Sequence, residues 1–178
     1  MNYVYIATSL DGFIADRDGG LDWLTGLPNP EGGDFGFAAF LADVDAIVMG
    51  RKTFETVLAL GVWPYDKPVF VLSTTLGGVP PDLAGKAEVV TGDPRGLVAA
   101  LRERGYENLY VDGGRTIQSF LEADLIDELI ITTVPILLGD GVPLFGRIGR
   151  TLTFTHVSTE TLSPDLAKSR YVRDRAWE

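Results

Sequence analysis

Asp45-Ala-Ile-Val-Met-Gly-Arg-Lys-Thr-Phe-Glu55 is the stretch around which the rest of the chain can be placed. Ala46 to Met49 is an apolar run too short for a helix and suited to a buried strand. Gly50 ends it, and after Arg51 and Lys52 the segment Thr53 to Leu60 has amphipathic helical spacing. The first N–H groups of a helix lack partners within it and the helix dipole is positive there, so such a corner favours an anion. Arg51, Lys52 and the Thr53 hydroxyl add donors. The stretch predicts that a phosphate-bearing cofactor docks at this strand–glycine–helix corner. A plain turn with solvated cations is the competing reading.

A second corner strengthens the first. Asn108 to Val111 reads as a strand, Asp112-Gly113-Gly114-Arg115-Thr116 breaks it, and Ile117 to Ala123 reads as a helix. Both corners put a glycine, an arginine and a threonine at a helix start. Between them in sequence, the strand Pro68 to Ser73 delivers the hydroxyls of Ser73, Thr74 and Thr75 to its end. Corners at the ends of parallel strands can hold two parts of one dinucleotide. The second corner lacks the full G-x-G-x-x-G fingerprint, and the chain has no Walker lysine motif.

The remaining segments fit an alternating pattern. Asn2 to Leu10 is rich in β-branched and aromatic residues and predicts a central strand. Asp11-Gly12 and Asp16 to Gly20 are turn signals around Phe13-Ile14-Ala15. Leu21 to Leu24 and a loop with Pro28, Pro30, Gly32 and Gly33 form a candidate mobile lid, with Trp23 as its anchor. Asp34 is placed to cap a helix Phe35 to Leu41. Ala87 to Thr91 is a short strand, and Asp93 and Pro94 open a helix that runs to Arg104. From Asp127 onward the pattern is strands alone: Glu128 to Pro135, then a closing antiparallel pair, Thr151 to Leu162 and Ala167 to Ala176. The expected fold is one α/β domain over residues 1–178, a mostly parallel sheet with helices on both faces and an antiparallel C-terminal end.

Composition narrows the function classes. Hydrophobic residues make up 46% and charged ones 22%, an ordinary globular balance. A net charge of −10 argues against nonspecific nucleic-acid binding. The absence of cysteine removes disulfides, thiolate zinc sites and cysteine catalysis, and the single histidine, His156, removes a multi-histidine metal site. No stretch approaches the ~20 apolar residues of a spanning helix, so the expectation is a cytoplasmic protein without metal.

Five strings, SLDGFIAD (9–16), DAIVMGRKTFE (45–55), VFVLSTT (69–75), LYVDGGRTIQSFL (109–121) and LIDELIITTVPILLGDGVPLF (125–145), resemble the dihydrofolate-reductase-like superfamily. The likeness is to the C-terminal reductase domain of bacterial riboflavin-biosynthesis deaminase/reductases and its stand-alone relatives. It implies NADPH as cofactor, a homodimer, and hydride transfer to a pyrimidine- or pterin-like heterocycle. On this resemblance Arg51, Lys52 and Thr53, with Gly50, hold the pyrophosphate and 2′-phosphate side. Ser73 and Thr74 lie by the adenosine ribose phosphate, and Gly113, Gly114, Arg115 and Thr116 approach the pyrophosphate and nicotinamide ribose. Ala7, Thr8, Ile14 and Ala15 border the nicotinamide. The resemblance also points to a strained Gly113–Gly114 peptide, with a cis bond as one form of that strain.

The chain departs from the family where substrate would bind. The basic residue that usually follows the Asp-Gly of the first loop is replaced by Phe13. Asp34 falls, counting back from Gly50, on the position of the acid that binds the pterin ring in dihydrofolate reductases. Asp11 and Asp34 are the candidate proton-supplying carboxylates, with turn formation and helix capping as their structural roles. Phe13 and Trp23 are the candidate walls for a flat substrate. Leu125 to Leu138, apolar on both faces, fits a covered strand or a dimer interface. Dihydrofolate-reductase-like activity, and a binding or oligomeric protein that keeps the fold without turnover, are the alternatives.

Overall fold

The structure is a computed structural model that describes residues 1–27, 29, 32–163 and 165–176. Pro28 and Pro30 of the expected lid lie outside the described residues. Eight strands form one sheet in the order β5-β4-β3-β6-β1-β7-β10-β9. These are β1 (Asn2–Ser9), β3 (Ala46–Gly50), β4 (Val69–Leu72), β5 (Ala87–Val90), β6 (Leu109–Asp112), β7 (Glu128–Val134), β9 (Thr153–Ser163) and β10 (Leu166–Asp174). From β5 to β7 all neighbours are parallel, and β10 and β9 add the antiparallel end. The expected architecture is the observed one. A short pair, β2 (Phe13–Ala15) and β8 (Val142–Pro143), stands apart, and β8 lies in a stretch to which the sequence pattern assigns no element.

Alternation along the central strands sorts side chains between two layers. In β3, Ala46 and Val48 face one cluster and Ile47 and Met49 the other. The helices α2 (Phe37–Ala42) and α3 (Arg51–Ala59) cover the second face with Phe40, Leu41 and Phe54. On the first face, α4 (Pro94–Glu103) and α5 (Gly114–Glu122) contribute Leu97, Leu101, Ile117 and Phe120. Phe54, Phe70 and Phe120 are fully buried, each contributing about 1.5–3 kcal/mol. β7 is paired along both edges, and its two apolar faces pack on the two clusters, Leu129 and Ile131 on the first and Ile130 on the second.

Several elements differ from the sequence expectation; α3, for one, opens at Arg51 rather than Thr53. α5 begins at Gly114, three residues before Ile117, because the Gly-Gly pair does not interrupt the helix but starts it. α2 begins two residues later than expected, since Phe35 and Gly36 take left-handed conformations, with φ of 58° and 90°. A single helical turn, α1 (Asp22–Thr25), carries Trp23 and is too short to show a period.

Candidate functional site: a cleft at the strand ends

The connections fix where a ligand can enter. From β3 the chain moves outward through α3 to β4, whereas from β6 it moves through α5 toward β7 on the opposite side. The carboxyl ends of the adjacent β3 and β6 are therefore a switch point, where open α/β sheets leave a crevice. The sheet also parts beside it. β1 pairs with β6 only at Asn2↔Leu109 and Tyr3↔Tyr110, while it follows β7 from Tyr3 to Ser9. Past that point the Tyr110 hydroxyl donates to the Tyr5 carbonyl, 3.1 Å away.

The two glycine corners meet there and interlock. A Cβ on Gly113 would lie 2.1 Å from Thr53 Oγ1, and one on Gly50 would lie 2.8 Å from Thr116 Oγ1. A Cβ on Gly114 would lie 3.2 Å from Ile14 Cδ1. Each corner thus requires the other to have no side chain. Gly113 adds a φ of 90°, which an L side chain rarely adopts. The expected strained or cis Gly113–Gly114 peptide is not seen: among the described residues no peptide bond is cis, and the corner turns through a positive φ that glycine adopts without strain. Among the described residues no side chain caps the first N–H groups of α3 or α5. A backbone cradle without Cβ atoms and two uncapped helix starts fit a pyrophosphate.

The remaining cofactor candidates sort by distance from this centre. Thr116 is buried, while Arg51, Lys52 and Arg115 are exposed at the rim. Arg51 pairs with Glu55 at 3.3 Å, an exposed ion pair of little strength that leaves the guanidinium free to turn to an anion. Ser73 and Thr74 follow β4, whose Leu72 pairs with Gly50. Ser73 Oγ accepts from the N–H groups of Thr75 and Leu76. Ala7 and Thr8 lie at the far end of β1, in register with Thr132 and Thr133.

The candidate substrate residues are more scattered. Phe13 meets Gly141 through its Cβ, while its neighbour Ile14 meets Gly114. Trp23 Nε1 is buried and has no acceptor among the described residues. Asp11 accepts from Ser9 Oγ at 2.6 Å, Gly139 N at 2.7 Å and Leu138 N at 3.1 Å, which ties the turn after β1 to the loop before β8. Asp34 accepts from Ala38 N at 2.6 Å and Gly36 N at 3.0 Å, so it does cap α2. The Ser9 hydroxyl, then the two amides, hold Asp11 below the usual carboxylate range; the Ala38 and Gly36 amides do the same for Asp34. Both stay ionised at neutral pH, a state suited to accepting hydrogen bonds and unsuited to donating a proton.

The acid that the sequence reading passed over is Asp112. It ends β6 on the face shared with Tyr110, and its Oδ1 accepts from Gly113 N at 2.8 Å. Desolvation pushes its carboxyl up to about 6 against that bond and the Tyr110 hydroxyl. Burial likewise raises Tyr65 and Tyr110, with the Asp112 charge adding to the shift in each. A carboxylate placed directly before Gly-Gly, at the ligand edge of a parallel strand, was the available signal.

The strand order and helix placement are those of a dihydrofolate-reductase-like α/β fold. The chain belongs to the RibD C-terminal domain family, whose pattern matches residues 3–168. A putative riboflavin biosynthesis protein from Shewanella sp. PV-4 is 50% identical, with a TM-score of 0.94 over 98% of this chain and 99% of its own. The uncharacterized Bacillus subtilis protein YwjB is 38% identical over 150 residues, 82% of each chain. More distant structures share the fold. The Thermotoga maritima diaminohydroxyphosphoribosylaminopyrimidine deaminase/5-amino-6-(5-phosphoribosylamino)uracil reductase is 17% identical, with a TM-score of 0.74. The match covers 98% of this chain and 56% of that protein. Enterococcus faecalis dihydrofolate reductase, solved with NADP(H), is 17% identical, with a TM-score of 0.67 over 98% of this chain and 96% of its own.

Proposed function

We propose that the protein is an NADPH-dependent reductase of a pyrimidine- or pterin-like heterocycle. The observation that carries this is the pair of interlocked, uncapped glycine corners at the β3/β6 switch point. Gly50, Thr53, Gly113, Gly114 and Thr116 would hold the pyrophosphate, and Arg51 and Lys52 the 2′-phosphate. Ser73 and Thr74 would border the adenosine ribose, Arg115 the nicotinamide ribose, and Ala7, Thr8 and Ile14 the nicotinamide. NADPH would supply the hydride, so the chain's own task is alignment and proton supply.

Asp112 suits the second task. Its carboxyl, at about 6, keeps a protonated fraction near neutral pH and lies beside Gly113 in the same crevice. Asp34 and Asp11, held ionised, would accept from ring N–H groups of the heterocycle. Phe13 and Trp23 would wall it. Dihydrofolate-reductase-like activity remains the second reading, favoured by the ionised Asp34 carboxylate at the head of α2. The proposal includes a homodimer in the cytoplasm, as the family resemblance implies. β9, an eleven-residue edge strand, leaves a surface for a second copy. No helix among the described residues is long and apolar enough to cross a membrane.

The test is titration of the protein with NADPH, followed by tryptophan fluorescence and melting temperature. Saturable quenching with a raised melting temperature is expected, and NADPH oxidation with 5-amino-6-(5-phosphoribosylamino)uracil or dihydrofolate then names the substrate. Neither quenching nor a thermal gain would leave the fold without the activity.

A further inference from the structure

Phe35 is one of two non-glycine residues with positive φ among those described, at 58°. A bulky residue there is an outlier that persists when its surroundings hold it. A groove of about 390 Å³, lined by Tyr5, Gly36, Phe40, Lys168 and Arg170 among others, adjoins the turn at Gly36. The Phe35 side chain is half-buried, and two hydrogen bonds hold its carbonyl. The Phe35 carbonyl accepts from the Tyr5 hydroxyl at 2.7 Å and from Lys168 Nζ at 3.0 Å. Lys168 comes from β10 and is itself anchored by Glu160 of β9 at 2.7 Å. Its side chain is 15% exposed, so the charge is directed inward rather than into solvent.

The held turn leads to the cleft. Gly36, next to Phe35, donates its N–H to Asp34, and Ala38 donates to the same carboxylate. Phe37, one residue further, packs on Tyr5 and edge-on against Tyr110. Tyr110 and Asp112 share one face of β6. A change in the Phe35 turn therefore moves Asp34 and Phe37 together, relative to Asp112.

We propose that Lys168, assisted by Tyr5, is a positioning residue that holds the left-handed turn at Phe35 and so sets Asp34 and Phe37 against the substrate. The role in turnover rests on the reductase reading above; the clamp itself does not. It places a specificity determinant on the antiparallel end of the sheet, away from the glycine corners.

Three variants test it: Lys168→Met, Lys168→Arg and Tyr5→Phe. The first readout is amide hydrogen exchange at Gly36 and Ala38. In Lys168→Met these amides are expected to exchange about tenfold faster, with Lys168→Arg near wild type and Tyr5→Phe between them. The second is kinetics with NADPH and whichever of 5-amino-6-(5-phosphoribosylamino)uracil and dihydrofolate the wild type reduces. The KM for that substrate should rise roughly fivefold in Lys168→Met while the Kd for NADPH stays within about twofold. The third is a double-mutant cycle: with Phe35→Gly the turn is no longer strained, and the exchange penalty of Lys168→Met should shrink. Unchanged exchange at Gly36 and Ala38 in Lys168→Met overturns the clamp. Faster exchange with an unchanged KM overturns its role in substrate positioning. A wild type that reduces neither substrate defeats the reductase reading, and the exchange data then still judge the clamp. If Lys168→Met does not fold, Tyr5→Phe carries the same comparison with the loss of one hydroxyl.

Discussion

The α4 corner and the α3 and α5 corners follow one plan, a parallel strand turning into a helix, and they end differently. At α4, Asp93 accepts from Arg95 N and Gly96 N, and Pro94 removes one further donor, so the helix start is closed by its own chain. At α3 and α5 a glycine stands in the capping position and no side chain closes the helix. The acids show the same contrast. The Gly96 and Arg95 amides hold Asp93 below the usual carboxylate range, whereas desolvation holds Asp112 well above it. Closed corners serve the fold, and open ones at a switch point are available to a ligand.

Substituting the glycines should break this contrast most visibly. Gly113→Ala puts a Cβ 2.1 Å from Thr53 Oγ1 at a φ of 90° and is expected to cost about 2–4 kcal/mol. NADPH binding should fall at least about tenfold with it. Gly96→Ala, whose Cβ would lie 3.3 Å from the Asp93 carboxylate inside a helix, should leave NADPH binding unchanged. Equal effects in fluorescence titration and denaturant midpoint would mean that the corners do not differ.

Asp112→Asn addresses the open corner's acid. In the wild type the unfolded chain loses this proton near the ordinary carboxylate value, while the folded chain keeps it to about 6. The stabilisation from the raised value is fully present below the ordinary value and is lost as pH rises through about 6. The variant should therefore gain stability over wild type as pH rises across that window, by roughly 1–3 kcal/mol. In turnover, wild-type kcat should fall above about pH 6. The variant should be slow, with that limb flattened; an unaltered pH profile would remove Asp112 from proton supply.

Arg51→Ala should weaken NADPH by about tenfold and NADH by less than about threefold, because only the former carries a 2′-phosphate. Equal losses would place Arg51 elsewhere. The smallest effect belongs to the closed corner. Asp93→Ala should lower Tm by about 2–4 °C with NADPH affinity unchanged. The depressed value gives the Asp93 cap a stabilising contribution above the ordinary carboxylate range, lost as pH falls through the folded value, so the Tm gap should close in acid.

Local chemistry made much of this protein legible from its amino-acid order. Short apolar runs gave β3, β4 and β6 nearly to the residue, Asp93-Pro94 marked the start of α4, and the two Gly-Arg/Gly-Gly-Arg corners marked two glycine-headed helix starts at neighbouring strand ends. These features depend on backbone propensity, periodicity and the conformational freedom of glycine, which act over a few residues. What the tertiary structure alone decided depends on segments far apart in the chain. The parting of β1 from β6 follows from strand register and leaves a cleft. Asp112 is raised by desolvation, against the Gly113 amide and the Tyr110 hydroxyl, once the sheet and helices have packed around it. Phe35 keeps its left-handed turn because Lys168, 133 residues away, reaches its carbonyl. Opposite layers must be assembled before desolvation and long-range hydrogen bonds exist, so no local pattern could have announced them.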